Sequence, residues 1–355
     1  MKQKISIALV LAMMLALLAG CTGTTVVYSP VIESTTPAET GAPTAAPASG
    51  AVKTGLAIIP SISDSVSASA DAEGEIKYDV TLAAVTVTDD GVIESCIIDS
   101  VPASVKFDAA GKITSDLSAP ISTKNELGEA YGMKAYGGAK YEWNEQVAAL
   151  AAYAQGKTVE QLRSGAITEA GMAADADLAS TATIYLGGFV SAIESAVANA
   201  AHLGAQSGDV LKLASISSTA KSTPAEGETK GLAQLDTDVT AMTMNGDTIT
   251  SCYIDSLQGK VEFDAAGAIT TDLTAPLLTK NQLGEDYGMK AWGSAIAEWN
   301  EQAASFAAYV TGKTPADVAG IAVNEKTAPT DADLATSVTI AVGGFQALIA
   351  KAAGN

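Results

Sequence analysis

The chain has 355 residues, a formal net charge of −20, three cysteines and a single histidine, His202. The acidic balance excludes nucleic acid as a partner, because binding to a phosphate backbone requires a basic surface. One histidine leaves no repeated histidine-based triad, metal site or general base, and no other nucleophile is paired with a base. We therefore expect a carrier or binding protein in preference to an enzyme.

Residues 1–20 have the composition of a secretory signal. Two lysines precede an apolar run from Ile5 to Ala19, which is too short for a comfortable membrane span. The run ends in Leu18-Ala19-Gly20-Cys21, which resembles the lipobox of bacterial lipoproteins. We expect lipid on Cys21, so that the protein is anchored in the membrane through its N-terminus, on the outer face of the cytoplasmic membrane at the cell surface. An ordinary signal with a chance cysteine is the alternative.

Residues 21–51 are rich in Thr, Ser, Ala, Pro and Gly and show no apolar periodicity. A segment of this composition cannot bury enough apolar surface to offset the entropy of ordering it. We predict a disordered tether that holds the rest of the protein clear of the lipid headgroups.

The remaining chain contains one sequence pattern twice, with a constant separation of 156 residues. The matched pairs include Cys96 and Cys252, Asp99 and Asp255, Gly128 and Gly284, Trp143 and Trp299, Asp177 and Asp333, and Thr183 and Thr339. Because this period is too long for a solenoid unit, each copy is expected to be a domain with its own core. We place the two repeat domains at residues 52–207 and 208–355.

Each copy begins with the features of an antiparallel sheet. An apolar stretch precedes a strand, a tight turn and a return strand; in the first copy these are residues 55–59, 80–88, 89–91 and 92–99. In the second copy they are residues 210–214, 239–244, 245–246 and 248–255. The turns Asp-Asp-Gly and Asn-Gly are hairpin signals. A further short hairpin is predicted at 105–113 and at 261–269.

The second part of each copy changes to a helical period. One helix face is formed by Trp143, Val147, Leu150 and Ala154, and in the second copy by Trp299, Ala303, Phe306 and Val310. A last helix is predicted at 189–201 and at 345–352. The fold class is therefore α+β: two tandem domains, each an antiparallel sheet backed by helices.

Two cysteines, Cys96 and Cys252, lie in apolar, strand-like runs at equivalent positions of the two copies. A disulfide between them would require the two strands to lie side by side. We favour the other interpretation, in which both are buried free thiols that act as small hydrophobic residues.

A Gly-Lys-Thr sequence occurs in both copies, at 156–158 and 312–314. It resembles the end of a phosphate-binding Walker A loop, but it follows a helix instead of a strand and a glycine-rich loop. We interpret it as the stop of one helix and the start of the next.

The most specific shared pattern lies just before the last helix. Residues 177–183 and 333–339 both follow Asp-x-x-[Ser/Thr]-x-[small]-Thr. This resembles the flavinylation motif Asp-x-x-[Ser/Thr]-Gly-Ala-[Ser/Thr] of the FMN-binding domain in the Rnf and sodium-pumping quinone reductase complexes and in related extracytoplasmic lipoproteins. There a transferase joins the last hydroxyl to the phosphate of FMN. The resemblance implies FMN on Thr183 and Thr339, in a cofactor site whose other motif residues are Asp177, Ser180, Asp333 and Thr336.

Other parts of each copy fit the same resemblance. The opening hairpin is similar, residues 125–128 and 281–284 lie where the family has Glu-Thr-Pro-Gly, and residues 143–157 are similar to its Trp-x-x-x-Phe-x-Gly-Lys stretch. The motif glycine is replaced by Thr181 or Ser337, and the alanine by Val338 in the second copy. Glycine permits positive φ, which a β-branched residue resists. The alternative interpretation is that Asp177 and Asp333 cap a turn and that Thr183 and Thr339 are strand residues.

The longest block shared by the copies is residues 123–136 and 279–292. Several of its side chains could stack on a planar ring: Tyr131, Met133, Tyr136, Tyr287, Met289 and Trp292. We favour the alternative, a glycine-containing loop whose aromatic side chains fill the space between sheet and helix.

These features lead us to expect a membrane-anchored extracytoplasmic lipoprotein that carries electrons on FMN and exchanges them with redox partner proteins. A flavin-free binding or structural lipoprotein on the same scaffold is the alternative.

Overall fold

The structure is a computed structural model that describes residues 50–293 and 295–354. The predicted signal peptide, the lipidation site Cys21 and the tether up to residue 49 lie outside the described residues. No helix within the described residues is long and apolar enough to cross a membrane.

The first copy opens with three antiparallel strands, β1 (Lys53–Ser61), β2 (Gly74–Val87) and β3 (Ile93–Phe107), which neighbour each other in chain order. Strands β2 and β3 are longer than the sequence predicts because both extend further from the hairpin turn, where Ile76, Val105 and Phe107 are buried in one apolar cluster. The predicted short hairpin at 105–113 is only a single bridge between Phe107 and Ile113.

The second copy repeats this sheet as β4 (Val210–Ser218), β5 (Gly231–Asn245) and β6 (Thr248–Phe263). The register is the same in both copies: Cys96 pairs with Val85, and Cys252 pairs with Met242. The ladder is irregular at the same place in both sheets, beside Val87 and Met244. The fold class predicted from sequence, α+β with two sheet-and-helix parts, is confirmed.

Six helices follow each sheet. In the first copy they are α1 (Lys124–Leu127), α2 (Met133–Gly137), α3 (Trp143–Ala154), α4 (Val159–Ala166), α5 (Ala176–Thr181) and α6 (Gly187–Ala198). In the second copy they are α7 (Lys280–Leu283), α8 (Met289–Gly293), α9 (Trp299–Val310), α10 (Pro315–Ala319), α11 (Ala332–Ala335) and α12 (Gly343–Gly354).

The Gly-Lys-Thr sequences separate helices, as the sequence indicates. Helix α3 ends at Ala154, and Gly156 takes a positive φ of 75° that turns the chain. Thr158 then forms a capping box with Gln161 at the start of α4, and Thr314 does the same with Asp317 at α10. Both threonines therefore satisfy free backbone N–H groups of a helix N-terminus.

Successive residues of each strand point to two different buried layers. In the first sheet Ala83 and Val85 pack against the helices of their own copy, with Trp143 and Leu150 of α3. The second copy has the equivalent layer around Trp299 and Phe306. These two layers are the separate cores that the duplication predicts.

A third apolar layer is shared between the copies, which the sequence does not predict. Alternate residues of the first sheet, such as Leu82 and Val101, pack against Leu235 and Leu257 of the second sheet in one cluster. The described residues thus form a four-layer stack of helices, sheet, sheet and helices. Because both faces of each sheet are buried, the residues on both faces are mostly apolar.

The contacts between the sheets are reciprocal. Phe107 and Phe263, equivalent residues at the ends of β3 and β6, stack with ring centroids 4.1 Å apart. The amide of Ala225 donates to the carbonyl of Gly111 at 2.9 Å, and the amide of Ala68 donates to the carbonyl of Gly267 at 2.8 Å. Both hydrogen bonds lie beside the stacked phenylalanine rings, so the two copies are joined there by a reciprocal set of contacts.

Cys96 and Cys252 are free and buried, as we favoured from the sequence. Each faces the helices of its own copy, in a different sheet-to-helix layer. Burial raises the pKa of both thiols to about 12, which leaves them protonated at neutral pH.

Candidate functional site

The predicted flavinylation motif lies on the short helix α5 and on its counterpart α11. The helix is started by the residue two places before the motif: the Asp175 carboxylate accepts the amides of Asp177 and Leu178, both at 3.0 Å. Asp331 does the same in the second copy. The alternative in which Asp177 and Asp333 are the capping residues is therefore wrong, because both lie inside the first helical turn with exposed side chains.

The motif hydroxyls Ser180 and Thr336 turn back onto the helix. Each donates to the carbonyl of the motif aspartate three residues earlier, Asp177 or Asp333, at 2.7 Å. In each copy the motif hydroxyl and the motif aspartate thus form one local unit, which shapes the end of the helix.

Thr183 and Thr339 follow this helix in a loop, with exposed side chains, and not in a strand. A fully buried glutamine of α3, Gln146, holds the loop: its Oε1 accepts the amide of Thr183 at 2.8 Å, the hydroxyl of Thr183 at 3.2 Å and the amide of Ile184 at 3.2 Å. In the second copy Gln302 makes the same three contacts, at the same distances, with Thr339 and Ile340.

These glutamines were not predicted from the sequence. Their other end is also fixed, because the Nε2 of Gln146 donates to the carbonyl of Tyr141 at 3.0 Å and that of Gln302 to Ala297 at 2.8 Å. A buried, uncharged polar side chain in an apolar layer needs such partners. The identical Trp-Asn-Glu-Gln at 143–146 and 299–302 was the available signal.

The residues that replace the motif glycine are not strained. Thr181 is the last residue of α5, and among the described residues only Thr327 has a positive φ without being glycine. The next position is a core position, since Ala182 and Val338 are both buried. The expected conflict between a β-branched residue and positive φ therefore does not arise at Thr181 or Ser337.

The block at 123–136 forms two short helices joined by a 3₁₀ turn, and its aromatic residues divide into two groups. Tyr131 lies beside the Lys124 ammonium, 5.3 Å from the ring centroid, and Trp143 lies 5.2 Å away on α3. Tyr131 is nevertheless exposed, and Tyr136 and its counterpart Trp292 are about 90% exposed. The favoured interpretation, in which the aromatic side chains fill the space between sheet and helix, is therefore wrong for these three residues; Met133, Tyr287 and Met289 do pack against the cores of their copies.

In the first copy helix α2, which carries the exposed Tyr136, and the loop that carries Thr183 both contact Gln146. The Nε2 of Gln146 lies 4.0 Å from the Sδ of Met133, the first residue of α2. The buried Glu142 carboxylate fixes the start of that helix by accepting the amides of Met133 and Lys134 at 2.8 and 3.0 Å. Glu298 makes the equivalent contacts in the second copy.

A buried carboxylate supports the block from the sheet side. Asp99 accepts the amides of Ser100 and Asn125 at 2.7 and 3.0 Å, and Asp255 makes the equivalent bonds. Burial raises the pKa of both, and that of Asp255 to about 6. These aspartates hold the start of α1 and α7.

No group of three histidine, cysteine, aspartate or glutamate side chains in the described part of the chain could hold a metal ion. His202 lies at the surface, where its Nε2 is 2.9 Å from Asp89. The arrangement therefore offers an exposed threonine in each copy, held in place by a buried glutamine.

Comparison of the chain with protein-family models, with curated proteins and with solved structures gave no match.

Proposed function

We propose that this protein is a lipid-anchored extracytoplasmic carrier of FMN, with one flavin joined to Thr183 and one to Thr339. The observation that carries this proposal is the presentation of the two threonines. Each follows a short helix with its side chain exposed, and each is held by a buried glutamine through the same three hydrogen bonds. A phosphoester made by an external transferase requires such a hydroxyl, fixed in place and open to solvent.

The surroundings of the two threonines are compatible with the group. The loop keeps its shape without the motif glycine, because Thr181 lies at a helix end with no positive φ. The isoalloxazine ring of bound FMN supplies reversible electron transfer. The chain's own part is to attach the group at the threonine; Tyr136 and Trp292 are exposed rings on the short helices α2 and α8.

Electron transfer on this scaffold would not use a metal cluster or a thiol of the described residues. No metal cluster site is found among them, and both described thiols are buried. A redox function on this scaffold would therefore depend on an added group, and redox partner proteins would approach it at the exposed ends of α5 and α11.

The second candidate function is a flavin-free binding lipoprotein. It is favoured by the replacement of the motif glycine and alanine, since a transferase that reads those residues would not accept this loop. The two functions differ in a simple property: a flavin carrier purified from its own host is yellow, and the flavin-free protein is colourless.

The test is to export the protein from cells that also make a flavin transferase, and to measure its mass. We expect a gain of one FMN per copy, Thr183→Ala and Thr339→Ala each to remove one, and the double variant to remove both. Thr181→Ala, two residues away on the helix, is the matched control and should keep both flavins. We expect Thr183 to be the better acceptor, because Ala182 keeps the family's residue and Val338 does not.

If the protein keeps its unmodified mass, one further variant separates two explanations. The double substitution Thr181→Gly and Ser337→Gly restores the motif glycine without disturbing a helix interior. Loading of this variant alone would show that the transferase reads the glycine. Unmodified mass in both proteins, with no binding of added FMN, would remove the flavin proposal and favour the binding lipoprotein.

The anchor is proposed from Leu18-Ala19-Gly20-Cys21. Cys21→Ser should release the protein from the membrane fraction or leave it as an unprocessed precursor, because the diacylglycerol has no thiol to join. Mass spectrometry of the mature N-terminus checks this directly. If the variant fractionates like the wild type and Cys21 carries no lipid, the lipoprotein assignment is wrong.

A further inference from the structure

The second copy contains a cavity that lies away from the threonine loop. It is bounded by β6, by α9 and by the linker residues His202 and Leu203, and its volume is about 550 Å³. Small-molecule sites in proteins have volumes in this range. We call it the β6–α9 cavity.

The face of α9 that borders the cavity is made of alanines. Ala304, Ala307 and Ala308 line the cavity where larger side chains would fill it, and Ile254 and Cys252 of β6 form the opposite wall. Ala307 and Cys252 are buried, whereas Ala304 and Ala308 are exposed at the rim. The cavity therefore has an apolar floor and an open side through which a ligand can enter.

The linker wall is held in place by bonds to the first sheet. Ala201 exchanges backbone hydrogen bonds with Thr54 at 2.9 and 3.1 Å, and the carbonyl of Ala205 accepts the amide of Val52 at 3.0 Å. Gly204 lies so close to β6 that a Cβ there would be 2.4 Å from the carbonyl oxygen of Thr250. A cavity with a fixed wall needs little ordering when a ligand binds.

The lining defines the charge of the ligand. It contains no aspartate, glutamate, lysine or arginine, although the chain as a whole carries a formal net charge of −20. The lining histidine, His202, has its Nε2 2.9 Å from the Asp89 carboxylate. An anionic ligand would therefore find no lysine or arginine in the lining and an acidic protein around it, and a cationic ligand would find no carboxylate in the lining. A neutral ligand loses least on leaving water.

One edge of the cavity is polar. Asn281, Asn300 and Thr311 lie there, and the Oδ1 of Asn300 is buried without a hydrogen-bond partner. Rotation about χ2, which is soft in asparagine, would turn this acceptor toward a ligand. An N–H or O–H group of the ligand would then satisfy an oxygen that the protein leaves unpaired.

From these features we propose that the β6–α9 cavity binds a neutral small molecule with an apolar, ring-sized body and one hydrogen-bond donor. The site is independent of the threonine loop and does not depend on flavin.

The probe for the test is N-phenyl-1-naphthylamine, a neutral ring compound with one N–H group whose fluorescence rises when it leaves water. We expect saturable binding of one probe per chain. Ala308→Phe should weaken it by about tenfold or more, because the ring occupies the cavity from its rim. The matched control is Ala152→Phe, at the equivalent exposed position of α3, which should bind as the wild type does.

Two further comparisons test the chemistry of the ligand. Anilinonaphthalene sulfonate has the same ring system with a negative charge and should bind about tenfold more weakly or worse. Asn300→Leu should weaken binding of the amine severalfold, and Asn144→Leu in the first copy should not. Non-saturable binding, equal binding of the anion, or equal loss in Ala308→Phe and Ala152→Phe would overturn the proposal.

A measurement on the wild-type chain decides the matter if the phenylalanine variants do not fold. Cys252 lines the cavity and Cys96 is its counterpart in the first copy. Saturating N-phenyl-1-naphthylamine should slow the reaction of Cys252 with methylmercury and leave Cys96 unaffected. If the probe changes the reaction rate of neither Cys252 nor Cys96, the cavity is not the binding site.

Discussion

Asp255 is a carboxylate held where water does not reach it, at the start of α7. Its Oδ1 accepts the amides of Ser256 and Asn281 at 2.7 and 3.0 Å, yet burial outweighs these bonds and raises its pKa to about 6. The folded state therefore binds a proton more tightly than the unfolded chain does. Between pH 4 and pH 6 this residue makes the protein less stable as the pH rises.

Asp255→Asn should remove that loss, because asparagine keeps the accepting oxygen and resembles the protonated acid. The variant should gain more stability relative to the wild type at pH 7 than at pH 4.5, by about 2 kcal/mol, because the folded wild-type carboxyl is still largely protonated at the lower pH. Urea unfolding at the two pH values measures it. The exposed Asp286→Asn is the control and should show no such dependence. An equal effect of Asp255→Asn at both pH values would mean that the buried carboxyl does not titrate between them.

At the residue scale the sequence motif picks out Thr183 and Thr339, but it does not predict which side chain holds these threonines in place. Thr183 and Thr339 stand out because a motif can be compared with a known pattern. Gln146 and Gln302 do not, because a glutamine on a helix is usually exposed and its burial depends on how the loop after α5 folds back. Only the structure shows that one side-chain oxygen accepts three bonds from a segment 37 residues away.

The helices illustrate how far local patterns reach. Trp143, Val147, Leu150 and Ala154 mark α3 to within one residue of its ends, because an amphipathic face repeats every turn and a positive-φ glycine follows it. The short helices α1, α2 and α5 could not be predicted in this way. They are shorter than two turns and depend on capping by side chains such as Thr123 and Asp175.

The capping role of the threonines in the two Gly-Lys-Thr sequences can be tested by substitution. Thr158→Ala should lower the free energy of unfolding by about 1 kcal/mol, since the amide of Gln161 loses the threonine Oγ1 that caps it. Thr314→Ala should act similarly at α10. Chemical denaturation measures the loss, and Ser164→Ala at the other end of α4 is a control with little expected effect. ATP should not shift the melting temperature of the wild type; a stabilisation that Thr158→Ala abolishes would instead indicate a phosphate site.

At the scale of the whole molecule the central feature is the layer that the two sheets share. The sequence shows two copies, and two copies suggest two independent cores. Strand residues facing the shared layer and those facing the helices are equally apolar, so hydrophobic pattern alone does not reveal which partner covers which face. Tyr78 makes the dependence visible: its hydroxyl donates to the carbonyl of Ala233 at 2.8 Å, and its ring lies where Gly259 has no side chain.

This shared layer changes what a single copy can do. A fragment of residues 208–355 would keep its helix-to-sheet core but expose the inner face of its sheet, including Leu235, Leu257 and Phe263. An apolar face of that size is rarely left open to water.

We therefore expect the fragment of residues 208–355 to unfold over a broad range of urea or to associate with itself, as seen by size-exclusion chromatography. The intact chain from residue 50 should unfold in one steep transition. Mixing with residues 50–207 should restore a monomeric complex and the steep transition, because the reciprocal Phe107–Phe263 contact re-forms. A monomeric fragment that unfolds cooperatively by itself would show that each copy has a sufficient core and that the shared layer is dispensable for folding.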